Sequence, residues 1–201
     1  MSQIALPLAA AARPARIVIG NANVRVAEAL AAPETWPFRT AVLTGPPRSG
    51  KTLLAEWFAR SGGGEAIDDA RALPETELFH RWNRAQEAGT ALLIVGGEPP
   101  WTIALPDLRS RLGAALHLEI GALDDAMAGD LLLALAEQRD LPLGPDAAEY
   151  LVARAPRSFA GLERLVSEID RLSLERMVPA THSVWRAALE AVLGPEEPRL
   201  L

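Results

Sequence analysis

The 201-residue sequence contains no cysteine, and its 20 Lys and Arg residues are outnumbered by 26 Asp and Glu residues, which gives a net charge of −6. The absence of cysteine excludes disulfide bonds, thiolate metal ligands and cysteine nucleophiles, and it fits a reducing compartment such as the cytoplasm. The acidic balance argues against nonspecific binding of DNA or RNA, which depends on many phosphate contacts from Lys and Arg. We therefore expect no direct sequence-specific DNA binding and expect any nucleic acid to be reached through a partner.

Long apolar runs and metal-ligand clusters are missing as well. The longest apolar runs, such as residues 131–136, are far shorter than the roughly 20 residues that a membrane span needs, so no membrane contact is expected. The three histidines are scattered, without a carboxylate or a second histidine at metal-ligand spacing, which argues against a zinc site. Hydrophobic residues nevertheless make up 49% of the chain, enough for one compact domain or for a medium domain with a small companion.

Apolar periodicity divides the chain into three parts. Residues 1–15 hold an apolar stretch broken by Pro7 and an Ala-rich tract, which predicts a flexible N-terminal peptide. Over residues 16–120, short apolar runs alternate with segments of helical spacing, a pattern typical of a parallel sheet flanked by helices. Over residues 121–201 only helical segments follow, which predicts a small all-helical lid domain. The expected fold class is therefore α/β with a helical lid.

The strongest motif lies between a strand candidate at residues 40–43 and a helix candidate at residues 53–60. It matches Gly-x-x-x-x-Gly-Lys-Thr, the Walker A pattern, in which backbone N–H groups and the positive end of the following helix hold phosphates. The Lys51 ammonium would reach the terminal phosphates, and the Thr52 hydroxyl would coordinate Mg²⁺. The motif predicts a P-loop NTPase whose nucleotide-binding residues are Gly45, Pro46, Pro47, Arg48, Ser49, Gly50, Lys51 and Thr52.

A P-loop protein also needs an acidic residue at the end of a neighbouring strand, where it holds the metal and positions water. Asp68 and Asp69 follow a brief apolar step, and we expect them to share the metal with Thr52. Only residues 61–65 separate the two aspartates from the preceding helix, which leaves no room for the extra strand and helix of many P-loop proteins. We therefore expect one edge strand to be missing, which exposes another edge to solvent or to a partner and leaves a homodimer open.

Three further segments carry a family resemblance. They are residues 78–89, which begin Leu-Phe-His-Arg-Trp-Asn; residues 96–100, Gly-Gly-Glu-Pro-Pro; and residues 105–112, Leu-Pro-Asp-Leu-Arg-Ser-Arg-Leu. Together they resemble the bacterial initiator DnaA and, more closely, its regulatory paralogues, the Hda family. The resemblance covers about residues 17–193, and the third segment is its most specific part. It implies an AAA+ fold and a negative regulator of chromosomal replication initiation that acts on DnaA.

The N-terminus strengthens this resemblance. Its sequence Gln-Ile-Ala-Leu-Pro-Leu resembles the hexapeptide Gln-Leu-x-Leu-Pro-Leu of Hda proteins, which binds the DNA polymerase III sliding clamp (the beta subunit). Proline keeps such a segment out of a helix, so that its apolar side chains can enter a pocket while the glutamine forms hydrogen bonds at the rim. The resemblance implies that the clamp is a partner bound through Gln3, Ile4, Leu6, Pro7 and Leu8.

The Ser-Arg-Leu sequence supplies the predicted catalytic group. In the family, the arginine of this motif is an arginine finger that acts on a nucleotide bound by a neighbouring subunit, and the matching residue is Arg111. Its planar, permanently charged guanidinium suits the stabilisation of charge during phosphoryl transfer. Arg109 lies two positions earlier and is the alternative candidate for the same role.

Two departures from the family pattern bear on catalysis by the chain itself. The polar sensor residue expected after the strand at residues 90–95 falls near Gly97, and the sensor arginine expected in the helix at residues 158–177 falls at Ala160. We therefore expect a regulator that holds ADP (or ATP), with Mg²⁺ as a further candidate ligand, and has weak or no ATPase activity of its own. Two alternatives stay open: a self-contained ATPase of the loader or remodelling type, and a non-hydrolysing interaction module with a vestigial nucleotide site.

Overall fold

The protein was analysed as a computed structural model that describes residues 16–194. Within that range, four parallel strands form one sheet in the order β2-β3-β1-β4. The strands are short and apolar because a parallel sheet covered by helices is buried on both faces. They are β1 (Thr40–Thr44), β2 (Glu65–Ile67), β3 (Leu92–Gly97) and β4 (Leu116–Glu119).

Helices cover the sheet and then continue alone to the end of the described chain, as the sequence predicts. Three short 3₁₀ turns, at Pro33–Thr35, Pro37–Arg39 and Ala70–Ala72, complete the secondary structure of residues 16–194. The α-helices are α1 (Val24–Leu30), α2 (Lys51–Arg60), α3 (Glu75–Ala88), α4 (Pro106–Gly113), α5 (Asp125–Glu137), α6 (Pro145–Val152), α7 (Phe159–Arg176) and α8 (His182–Leu193).

The sheet is shortened at one edge, which confirms the prediction from the short connection between α2 and β2. β1 lies in the centre, where Thr40 pairs with Leu92 of β3 and Ala41 pairs with Leu116 of β4. β2 contributes only three residues and pairs with β3 alone, beginning with Glu65 opposite Leu92. β2 and β4 are therefore the two edges of the sheet within the described residues.

Side chains of the central strands alternate between two hydrophobic clusters. Ala41 and Leu43 belong to one cluster and Val42 to the other, as the two-residue period of a strand requires. The first cluster includes Phe58 of α2 and continues into α5–α8, whereas the second is formed with α3 and α4. The helical part thus shares its core with one face of the sheet, and the division into residues 16–120 and 121–201 stays a prediction.

Capping residues explain where several helices begin. The Asp124 carboxylate accepts a hydrogen bond from the Met127 N–H at the start of α5, and Ser158 Oγ accepts one from Gly161 at the start of α7. Asn23 occupies the N-cap position of α1, but its side chain does not cap the helix, because its Oδ1 accepts a bond from the Gly20 N–H instead. No helix within residues 16–194 is long and apolar enough to cross a membrane.

Candidate functional site

The predicted phosphate loop connects β1 to α2 at the carboxyl edge of the sheet. Gly45 opens the loop with φ +152°, and a Cβ placed there would lie 2.9 Å from Ile120 Cβ, so only glycine fits without a shift. The Gly45 N–H donates to the Gly97 carbonyl at 2.9 Å, which ties the start of the loop to the end of β3. The loop is therefore held between the carboxyl ends of β3 and β4, the position at which open α/β sheets bind ligands.

Lys51 is the only lysine in the chain, and it is the first residue of α2. Its Nζ donates to the Gly45 carbonyl at 2.8 Å and to the Pro46 carbonyl at 2.7 Å. Burial lowers the pKa of Lys51 below its ordinary value of 10.5, while the nearby carboxylates of Asp68 and Glu98 oppose that shift. Both hydrogen-bond partners of the ammonium are neutral carbonyls, which charged phosphate oxygens can replace as stronger acceptors.

Ser49 provides an independent sign of a ligand. Its side chain is only 5% exposed, yet Oγ has no hydrogen-bond partner among residues 16–194. A buried polar atom without a partner costs about 1–3 kcal/mol, so such atoms are rare unless something else binds them. Ser49 lines a cavity of about 370 Å³ together with Lys51 and Thr52. A phosphate group bound by the loop would supply the missing partner.

The far wall of this cavity comes from the helical part and is largely apolar, with Gln138 and Glu163 as its polar residues. Met127 and Leu131 of α5 and Phe159 of α7 face the loop, and the N-terminal residues 16–18 close one side. The Asn23 side chain fixes this N-terminal segment by donating to the Val18 carbonyl at 2.9 Å. A polar end beside Lys51 and an apolar end beside α5 match the two halves of a nucleotide, phosphates and base.

Asp68 and Asp69 follow β2 directly, as predicted, but they are not equivalent. The Asp68 carboxylate lies close enough to Lys51 to raise its pKa, whereas Asp69 adopts φ +47° and its N–H donates to Asp68 Oδ1 at 3.0 Å. The described residues contain no group of three His, Cys, Asp or Glu side chains that could hold a metal. A Mg²⁺ ion would fit here only in the way usual for nucleotide sites, on phosphate oxygens with the Thr52 hydroxyl and one carboxylate.

Glu98 lies near Lys51, outside the cavity lining, and was not expected from the sequence. Its carboxylate, like that of Asp68, opposes the lowering of the Lys51 pKa by burial. It directly follows Gly97, near which the family resemblance predicts a polar sensor residue. The signal that could have revealed it is its place one residue after β3, a central strand whose carboxyl end adjoins the loop.

A second unexpected contact joins the loop to the helical part. Arg48 has φ +64°, and its Nε lies 3.1 Å from Oε2 of Glu163 in α7. Ala160 lies in the first turn of the same helix, and the nearby Arg157 pairs with Asp125 of α5 at 2.9 Å. The cation that reaches between the loop and α7 therefore comes from the loop, not from the helix.

Arg111 lies on α4, outside the cavity, and is held on the surface of α3. Its Nη1 donates to Asn83 Oδ1 at 2.7 Å. The centre of its guanidinium is 4.3 Å from the ring of Trp82 and 4.7 Å from that of Phe79, within cation–π range. Arg109, the alternative candidate, is exposed on the same helix. The structure thus brings the phosphate loop and Asp68 together and leaves both arginines apart from them.

The candidate clamp-binding residues Gln3, Ile4, Leu6, Pro7 and Leu8 lie outside the described residues.

Comparison with solved structures places this architecture among known folds, although no protein-family model matches the chain. Domain III of the replication initiation protein DnaA from Thermotoga maritima is similar with a TM-score of 0.69 and 13% identity, over 89% of this chain and 95% of that one. The T. maritima RuvB Holliday junction branch migration motor is similar with a TM-score of 0.60 and 17% identity, over 86% and 70%. The AAA domain of FIGL-1, solved in complex with ADP, is similar with a TM-score of 0.57 and 13% identity, over 92% and 84%. The chain therefore has an AAA+ P-loop fold, similar to the folds of DnaA domain III and RuvB.

Proposed function

We propose that this chain is a negative regulator of chromosomal replication initiation that holds a nucleotide, binds the DNA-loaded sliding clamp and stimulates hydrolysis of DnaA-bound ATP through Arg111. The observation that carries the proposal is the position of Arg111. Its guanidinium is oriented on α3 and lies outside the chain's own cavity, so it is suited to a nucleotide bound by another molecule. The resemblance to the Hda family names that molecule as DnaA.

The site is better suited to binding a nucleotide than to hydrolysing it. Lys51, Ser49 and the loop N–H groups can bind phosphates, and the apolar wall can hold a base, so ADP or ATP fits. Bound Mg²⁺ would neutralise phosphate charge and orient the phosphates. At the two positions where catalytic sensors are expected, however, Gly97 and Ala160 offer no polar side chain. We therefore propose that the bound nucleotide organises the fold and that the chain's own turnover is weak or absent.

Preorganisation of the Arg111 side chain supports the proposed finger role. Asn83 takes one of its N–H groups, and two aromatic rings fix the guanidinium plane, while the remaining N–H groups have no partner among residues 16–194. A donor that is already oriented loses little entropy when it meets a developing negative charge. Arginine fingers supplied in trans contribute about 10³–10⁵ in rate, so orientation of this side chain would matter.

The remaining parts of the proposal rest on the N-terminal hexapeptide. Gln3, Ile4, Leu6, Pro7 and Leu8 would dock on the clamp, which brings an acidic protein to DNA without DNA contacts of its own. This places the proposed action in the cytoplasm, at the replicating chromosome. Pairing of two copies through the edge of β2 stays a prediction.

The decisive experiment is hydrolysis of DnaA-bound ATP in the presence of DNA-loaded clamp, with Arg111→Ala and Arg111→Lys compared with Arg109→Ala. We expect both Arg111 variants to lose about 100-fold or more of the stimulation, because lysine retains the charge but not the planar fork. Arg109→Ala retains it. The lysine variant guards against loss of folding, since its charge can still stack on the α3 rings. Loss of stimulation in Arg109→Ala alone contradicts the assignment, and unchanged clamp binding after replacement of Gln3 and Leu6 by Ala contradicts the clamp contact.

A self-contained ATPase is the second candidate, and it is favoured by the two carboxylates, Asp68 and Glu98, that act on Lys51. Such an enzyme would use one of them to hold the metal or position water. Robust ATP turnover by the isolated chain that is lost in Asp68→Asn or Glu98→Gln would favour this alternative. An interaction module with a vestigial site would show no nucleotide binding at all by calorimetry.

A further inference from the structure

Arg48 adopts a backbone conformation that its residue type disfavours. It occupies the third variable position of the loop with φ +64°, in the left-handed region that glycine adopts without steric cost. Asn and Asp tolerate this region through local hydrogen bonds, but arginine has no such compensation. Strain of this kind clusters at active sites and ligand clamps, which fits the place of Arg48 in the phosphate loop.

The contact spans the cavity from the phosphate loop to α7. Arg48 Nε lies 3.1 Å from Glu163 Oε2, and both residues line the cavity. The Arg48 side chain is 68% exposed and that of Glu163 is 27% exposed, so the pair lies at the rim. Glu163 follows Ala160 by three residues on α7, and the Glu163 side chain lines the cavity beside the loop. The two side chains therefore bridge the opening between the loop and the helical part.

In this bridge the loop carries the positive charge and α7 carries the negative charge, whereas a helix that binds phosphate would carry the positive one. α7 offers a carboxylate to the cavity, and a carboxylate repels phosphate. Arg157 is paired within the helical part to Asp125, and Arg164 is exposed on α7 and does not line the cavity. Among the described residues, α7 thus contributes no cation to the cavity, and the contact between helix and loop does not need a terminal phosphate.

We infer that Arg48 and Glu163 form a latch that holds α7 over the loop and slows the release of a bound nucleotide whether it carries two phosphates or three. This inference rests on the proposed nucleotide site. The latch replaces a contact to the terminal phosphate with a contact inside the protein. The ion pair then slows release of the nucleotide to the same extent whether it carries two phosphates or three. Because the pair is partly exposed, its effect is modest, about threefold in the release rate.

The test is the release rate of fluorescent ADP, and of a fluorescent non-hydrolysable ATP analogue, chased with unlabelled nucleotide in stopped flow. Arg48→Gly and Glu163→Gln are compared with the wild type and with the double variant. Arg48→Gly relieves the backbone strain, so it keeps the fold. Met177→Gly is the matched control, because Met177 also has a left-handed φ of +52° but is 91% exposed at the end of α7.

We expect each single variant to release both nucleotides about threefold faster, the double variant to be no faster than either single one, and the control to match the wild type. Slower release in Glu163→Gln overturns the latch, because it would mean that Arg48 acts on the phosphates and that Glu163 competes for it. An effect on the ATP analogue alone overturns it as well, as do unchanged rates. Absence of nucleotide binding by the wild type instead contradicts the proposed function, and the latch falls with it.

Discussion

Two cations of the chain, Lys51 and Arg111, are held in opposite ways. The Lys51 ammonium donates to two backbone carbonyls of its own loop and faces a cavity beside an unpartnered Ser49 hydroxyl. The Arg111 guanidinium is fixed by side chains of a neighbouring helix, one amide and two aromatic rings. The first arrangement leaves a buried hydroxyl to be satisfied by a ligand, whereas the second fixes the plane of the guanidinium and leaves its other N–H groups unpaired among residues 16–194.

The difference fits the two proposed roles: Lys51 binds a phosphate in its own site, and Arg111 acts on a nucleotide held by another molecule. A site that takes up a phosphate benefits from partners that can be exchanged, since neutral carbonyls give way to charged oxygens. A group that acts on another molecule's phosphate benefits from an orientation that does not change on contact. The two faces of the sheet keep these proposed tasks apart, because α2, which follows the loop, shares one hydrophobic cluster with α5–α8, and α3 and α4 share the other.

Removal of Lys51, the cation proposed to bind phosphate, is expected to have the largest effect. Lys51→Ala should weaken ADP binding about 100-fold, because it deletes a partly buried charge that would form charge-assisted bonds to phosphate. Isothermal titration calorimetry measures the change. Arg60→Ala, which removes a cation from the exposed end of the same helix, is the control and should bind ADP like the wild type. Equal ADP affinity in Lys51→Ala and the wild type would contradict a working phosphate loop.

The second largest effect is expected when the Arg111 side chain loses its hydrogen-bond acceptor. Asn83→Leu removes the acceptor of Arg111 at similar volume, and we expect a loss of about 1 kcal/mol in the free energy of unfolding and about tenfold in stimulation of DnaA. Asn83→Asp keeps an acceptor and should retain both. Urea denaturation and the clamp-dependent hydrolysis assay provide the two readouts. If both variants stimulated DnaA like the wild type, orientation by Asn83 would have no part in the reaction.

The reactivity of the Lys51 amine tests whether a bound nucleotide contacts this side chain. Since burial lowers its pKa below 10.5, the neutral amine is present at lower pH than in a free lysine, and the midpoint of its reaction with acetic anhydride should lie below 10.5. ADP should slow the reaction several-fold, because phosphates favour the charged form. Mass spectrometry reads the result simply, as Lys51 is the only lysine. Reaction at the same rate with and without saturating ADP would place the nucleotide elsewhere.

The smallest effect is expected from substitution of Glu75, which lies at the start of α3 and binds the chain just before α4 begins. Both oxygens of Glu75 accept backbone N–H bonds, from Ala104 at 2.9 Å and from Leu105 at 2.6 Å, and these bonds hold the pKa of Glu75 below its ordinary value of 4.5. A carboxyl with a lowered folded pKa stabilises the fold above about pH 4.5, and this contribution is lost as the pH falls through the folded value.

Glu75→Gln should therefore unfold at slightly lower urea than the wild type at pH 7, with a difference that shrinks in acid. Glu77→Gln, in the same first turn and exposed, is the control. A difference that stayed constant from pH 7 to below the ordinary pKa would show that the charge of Glu75 is not what anchors α4.

Sequence reasoning succeeded where neighbouring residues determine the structure. The strand, loop and helix around Lys51 are encoded within one short stretch, and the missing edge strand follows from the short connection before β2. The helix predicted over residues 158–177 is Phe159–Arg176, since its apolar period and its Ser158 cap agree. The AAA+ fold is confirmed by the solved structures, and the Hda-specific parts stay proposals.

The contacts that the sequence did not reveal join residues far apart in the chain. Arg48 meets Glu163, and Arg111 meets Asn83, only because the sheet and helices bring them together. Nothing in the local pattern distinguishes Glu163 from other exposed acids on helices. Asn23 shows the same limit at short range: it has the right residue type for a cap, but its side chain is taken by Gly20.

The central position of β1 also has a consequence for how the protein is made. Its partners lie beyond α2 and α3, so each pairing closes a long stretch of chain, and closing that stretch costs conformational entropy. Gly45 meets Ile120 and the Gly97 carbonyl only once those residues are available. During synthesis, the nascent chain therefore acquires a shaped phosphate loop only after β4 has left the ribosome, long after the loop itself has been translated.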